Sequence, residues 1–156
     1  MEETETLNQP EDFPEGKFSA RSLARTVAFQ IAYQDDLNPG SKDRFAESFI
    51  EQELPDHEAV RRFTRNLIAG IAEKHEEIDD TLTEIARHWS LSRMTTTDRS
   101  ILRLATYEIM FMDTPKPVVI DEAVELAKRF GTADSAAFVN GILDKIRKKR
   151  PETSGE

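Results

Sequence analysis

The sequence predicts an all-α fold. Apolar residues recur three and four positions apart along most of the chain from residue 17, and no stretch alternates apolar and polar as a half-buried strand would. Prolines, glycines and polar clusters divide that pattern into about six or seven helix-sized segments. With 156 residues, 38% of them hydrophobic, there is material for one core and hardly two, so a compact single domain over residues 17–150 is expected.

Residues 1–16 hold six acids, two prolines and no base, too little apolar surface to offset the entropy of ordering, and read as an acidic disordered tail. The formal charge of −9 falls to −3 without them, so the acidity is largely terminal. From Lys17 to Asp36 the spacing predicts a helix with Leu23, Val27 and Ile31 inward, beside Ala24 and Ala28, closed by Asn38-Pro39-Gly40. Arg21 and Arg25 then project opposite Leu23 and Val27, with Gln30 and Tyr33 further along, and no acid between Lys17 and Gln34 offsets them.

Ser41 to Leu54 reads as a second helix with Phe45, Phe49 and Ile50 inward, stopped by Pro55. Asp56 caps a long run in which Val60, Phe63, Leu67, Ile68 and Ile71 form the core face, with Arg61, Arg62 and Arg65 on the other side. Ile78, Leu82, Ile85 and Trp89 prolong the same spacing, and Asp79-Asp80-Thr81 is a candidate restart. A polar interval ends at Asp98, from which Ile101, Leu102, Ala105, Ile109 and Met110 mark the most apolar helix, expected to be central. After a rigid connector, Asp113 to Pro117, the stretch from Val118 to Phe130 places Asp121, Glu122 and Glu125 early and Lys128 and Arg129 late, as the helix dipole favours. Gly131 is expected to end it in a left-handed conformation, and Ser135 or Asp134 to cap a last helix that runs from Ala136 to Arg150-Pro151. Residues 151–156 form a polar tail.

The search for chemistry is mostly negative. There is no cysteine and no apolar run long enough for a membrane span, and the N-terminus is acidic, so a soluble cytoplasmic protein is expected. Phosphate loops, HExxH, nucleophile elbows and EF-hand loops are missing, and the chain reads as neither an enzyme nor a cofactor or metal protein. His75 and Asp79 stand four apart and could share a metal, although a solvated helix face explains them as well. Single-stranded nucleic acid needs clustered cations and exposed planar groups. Arg21, Arg25, Gln30 and Tyr33 offer both, and Lys145 with Arg147 to Arg150 offers cations, but composition alone reads these as solvated helix faces.

Four stretches together change that balance: 25–33 (RTVAFQIAY), 98–109 (DRSILRLATYEI), 119–131 (VIDEAVELAKRFG) and 138–145 (FVNGILDK). They closely resemble, in order, the bacterial NusB family of transcription antitermination factors. The resemblance implies two helical subdomains, no catalysis, and binding of boxA, a single-stranded RNA element of ribosomal transcripts. It implies NusE, the small-subunit ribosomal protein, as direct partner, with other antitermination factors and RNA polymerase engaged indirectly and no DNA or membrane. Matched residue by residue, Arg21 and Arg25 are expected to meet phosphates and Gln30 and Tyr33 to lie beside the RNA. Asp134, Ser135 and Phe138 are expected to form a second RNA surface, and Asp98, Arg99 and Arg103 to lie on the NusE side. The arginine motif is thin, since Ser22 and Leu23 separate Arg21 from Ala24, which implies fewer phosphate contacts and a shallower salt dependence. A similar module opens a ribosomal RNA cytosine methyltransferase, but that enzyme needs a further cofactor domain, and the chain stops at Glu156. A protein-interaction bundle with weak or lost RNA binding is the other alternative.

Overall fold

The computed structural model describes residues 19–150; the acidic segment 1–16 and residues 151–156, read above as tails, lie outside them. Seven α-helices follow one another among the described residues: α1 (Ala20–Leu37), α2 (Lys42–Glu53), α3 (Glu58–Glu73), α4 (His75–Ile85), α5 (Thr96–Phe111), α6 (Lys116–Phe130) and α7 (Ser135–Lys149). A single 3₁₀ turn, Leu91–Arg93, precedes α5, and no described residue is in a strand. The chain divides after Gly70, within α3, into two compact units. No described helix is long and apolar enough to cross a membrane.

In the first unit, Ser19 opens α1 by accepting a hydrogen bond from the Ser22 N–H at 2.9 Å, a standard N-cap. Asp35 Oδ1 accepts from the Gly40 and Lys42 N–H groups, so the end of α1 ties down the start of α2. Gly40, at φ 91°, supplies the left-handed turn between them. The core joins Ala24, Val27 and Ile31 of α1, Ile50 of α2, Leu54, and Ala59 and Val60 of α3, with Phe45, Phe49 and Phe63 packed at its margin.

The phase of α1 differs from the sequence expectation. Leu23, assigned to the core, is 41% exposed, whereas Arg25, assigned to solvent, is 1% exposed. Burial runs through Ser22 and from Ala24 to Phe29, so α1 is enclosed round most of its circumference and leaves a narrow stripe that includes Leu23, Gln34 and Leu37.

Arg65 of α3 donates from Nε and Nη2 to the two carboxylate oxygens of Glu47 at 3.0 and 2.6 Å, and from Nη1 to Glu58 at 3.1 Å. The Arg65 hydrogen bond holds the Glu47 carboxyl below its ordinary value, and Glu47 reciprocally raises the Arg65 guanidinium. A carboxylate lowered by folding adds stability at pH values above the ordinary carboxylate range and loses it as pH falls through the folded value. Both side chains reach solvent, so the contribution is about half a kcal/mol. Glu47→Gln is therefore expected to remove a small rise in urea stability that builds as pH climbs toward the ordinary carboxyl value of 4.5 and is complete above it, with the two proteins converging in acid. Parallel pH profiles would show the pair idle.

The second unit is built round α5, which packs against α4, α6 and α7. Ile101, Leu102, Leu104, Ala105 and Ile109 of that helix are buried, in keeping with its expected central place. Thr95 caps α5 by accepting from the Asp98 N–H at 3.1 Å, so the helix starts two residues before Asp98. The break in the long central run falls at Lys74, earlier than Asp79, and α4 stops at Ile85. Lys116 and Pro117 belong to the first turn of α6 and not to the connector, because proline lacks only an N–H that the first turn leaves free anyway.

Candidate nucleic-acid interface

Two residues assigned to one basic stripe occupy different environments on α1. The guanidinium carbons of Arg21 and Arg25 stand 5.3 and 5.6 Å from the centroid of the ring of Phe63, a residue of α3. Arg21 is half-buried and retains access to solvent, whereas Arg25 is closed off. Gln30 and Tyr33 are both half-buried, and the Tyr33 ring tilts against Phe29 at 6.0 Å. Phe63 was read only as a core residue. Its ring stands near both guanidinium groups, and a contact thirty-eight residues beyond Arg25 leaves no mark in local spacing.

In the second unit the corner between α6 and α7 carries the other predicted residues. Gly131 is extended (φ −98°, ψ −165°) and not left-handed. Glycine is needed there for space: a Cβ would lie 2.4 Å from Ser135 Oγ, 2.5 Å from Ser135 Cβ and 2.8 Å from the Ala127 carbonyl oxygen. Ser135 is 2% exposed and already the first residue of α7, and its Oγ accepts from the Thr132 N–H at 3.0 Å, which locks the corner. Asp134 is exposed at the cap position without a side-chain cap bond. The half-buried Phe138 ring meets Trp89 edge-on, with centroids 5.9 Å apart.

Two of the three residues expected on the partner side have internal duties. Arg99 donates from Nη1 to the carbonyls of Leu91 and Met94 at 2.7 and 2.8 Å, stapling the 3₁₀ turn to α5. Arg103 forms a two-pronged pair with Asp79, Nε to Oδ1 at 2.9 Å and Nη2 to Oδ2 at 3.0 Å. That engagement occupies the carboxylate a metal would need: His75 Nε2 stands 3.5 Å from the same Asp79, and no group of three metal-binding side chains occurs among the described residues. Asp98 sits in the first turn of α5, where its charge suits the dipole, with one carboxylate oxygen buried and without a hydrogen-bond partner among the described residues.

Seven helices with no strand among the described residues make this a small all-helical protein. Residues 22–148 match the model of the NusB family, and the chain belongs to that family. It is 43% identical over 134 residues to the transcription antitermination protein NusB of Geobacter sulfurreducens, covering 85% of this chain and 97% of the relative. The solved NusB of T. maritima superposes with a TM-score of 0.75 at 39% identity, over 86% of this chain and 94% of that one. A further solved neighbour comes from a complex of antitermination factors NusB and NusE with double-stranded RNA, with a TM-score of 0.74 at 27% identity over 83% and 97% of the two chains.

Proposed function

We propose that the chain is a transcription antitermination factor that binds boxA RNA of ribosomal transcripts jointly with NusE. The observation that carries this reading is likeness over nearly the whole length of a relative whose solved complex contains both NusE and RNA. The protein acts in the cytoplasm by binding, without catalysis or cofactor. Holding transcript and ribosomal protein at once makes each further contact with other antitermination factors and RNA polymerase intramolecular, which raises its effective concentration.

Within this reading Arg21, Gln30, Tyr33, Asp134 and Phe138 are the RNA-facing side chains. Arg25 and Ser135 act beneath them as positioning residues, since both are closed to solvent. Asp98 is the residue of its group with a carboxylate left to engage NusE, while Arg99 and Arg103 shape the surface beside it. With Arg21 the one accessible arginine of the pair on α1, NusE is expected to supply part of the affinity.

A titration of labelled boxA RNA, single-stranded and duplex, with the protein alone and with NusE, tests this. Single-stranded RNA is expected to bind at least about tenfold more tightly with NusE present, a difference of about 1.4 kcal/mol. Duplex preference would overturn the single-strand assignment, and no binding under either condition would overturn the RNA-binding reading itself.

A further inference from the structure

Trp89 is an exposed ring without a function so far. Its spacing from Ile78, Leu82 and Ile85 fits a core and a partner-facing residue alike; α4 stops at Ile85, and the indole is 55% exposed in the following turn. The edge-on contact with Phe138 uses only part of the ring, so indole surface remains open. The two rings line an open groove of about 860 Å³ between the end of α4 and the outer face of α7.

The charge of this groove runs against that of the chain, which is −9. Arg87 comes from the turn before Trp89, and Lys145, Lys148 and Lys149 line the α7 side at a spacing that puts them on one helix face. One carboxylate, Glu84, lines it too, and it is neutralised by an ion pair with Lys149. Lys148 is engaged with Asp144 at 3.1 Å, while Arg87 and Lys145 make no ion pair with another described residue. Gly141, also in the lining, would have nothing within 4 Å of an added Cβ, so the groove is open above that point of α7.

An exposed indole in a groove also lined by Arg87 and Lys145, neither in an ion pair with another described residue, matches the chemistry of an unpaired base and its phosphates, whereas a duplex keeps its base faces covered. We propose that this groove binds single-stranded RNA flanking boxA, with Trp89 as a stacking platform and Arg87 and Lys145 as phosphate contacts. The proposal rests on the antitermination reading and extends its RNA surface from Phe138 along the outer face of α7.

Trp89 is the single tryptophan of the chain, so its emission reports from the groove itself. The intact protein would be titrated at low salt with boxA RNA and with boxA carrying single-stranded flanks, following tryptophan emission, and labelled forms of both RNAs would be titrated with NusE present. Flanked RNA is expected to quench Trp89 more than the core element does. Trp89→Leu is expected to weaken flanked RNA by about tenfold and spare the core element. Arg87→Gln with Lys145→Gln should lower the salt slope by about 0.7 per charge removed. Circular dichroism would confirm that each variant is folded. If wild-type boxA binding with NusE is intact but these variants bind flanked RNA like wild type, the groove proposal fails and the antitermination reading stands. Quenching by a tryptophan-free NusE variant without RNA, and none by RNA, would make the groove a protein-docking site and overturn the proposal. Failure of the wild type to bind any RNA would overturn both.

Discussion

Gly131→Ala is expected to destabilise the second unit by about 1–3 kcal/mol, the range for forcing extra atoms into a packed site. The backbone at Gly131 is extended, which any residue adopts, so the cost is steric. The added Cβ collides with Ser135 Oγ at 2.4 Å and Ser135 Cβ at 2.5 Å, and the second contact does not rotate away. The third neighbour, the Ala127 carbonyl, accepts the hydrogen bond of the Gly131 N–H at 2.9 Å and is fixed in the last turn of α6. Relief therefore requires α7 to shift from its start, and Phe138, one turn along, shifts with it. Urea denaturation is expected to show the loss and a boxA titration a parallel weakening. Ser135→Gly in the Gly131→Ala background should recover part of the stability, because it removes two of the three collisions. Ser135→Ala should recover less, since its Cβ stays. Wild-type stability for Gly131→Ala would refute the close packing of this corner.

That corner shows what the chain reveals locally and what it hides. The change of helix at Gly131 was legible because charge placement and a glycine mark the end of α6, yet the reason for the glycine lay four residues on, in a buried serine. Elsewhere the breaks carry no mark. Neither Lys74, between α3 and α4, nor Ala86, after α4, is a glycine or proline, so a continuous apolar spacing runs past both and does not decide whether Trp89 faces the core or a partner. For α1 the existence of the helix was plain, but the inward face was not. Periodicity assumes one buried stripe, and a helix enclosed round most of its circumference offers only its exposed stripe as a guide. The mixed row of Leu23, Gln34 and Leu37 gives no polar signal, and so Arg25 was turned outward.

Arg25→Ala is therefore expected to cost about 3 kcal/mol of stability, whereas Arg21→Ala should cost well under about 1 kcal/mol. Arg25 is among the largest fully buried side chains, and its truncation leaves a cavity comparable to that of a long apolar residue and forfeits the contact with the Phe63 face. Arg25→Lys keeps the charge but loses the planar group that lies near the ring, and an intermediate loss is expected. Arg21 leans on the same ring from the accessible side, so its removal should act chiefly on RNA, with a salt slope shallower by about 0.7 for one lost phosphate contact. Urea midpoints and boxA titrations with NusE, run on all three variants, separate the two roles. If Arg25→Ala unfolds like wild type while weakening RNA as strongly as Arg21→Ala, Arg25 meets a phosphate directly and its burial is lost on binding. If it loses stability as expected, the RNA-facing charge of this helix rests on Arg21, and the dependence on NusE follows from one accessible arginine where the sequence shows two.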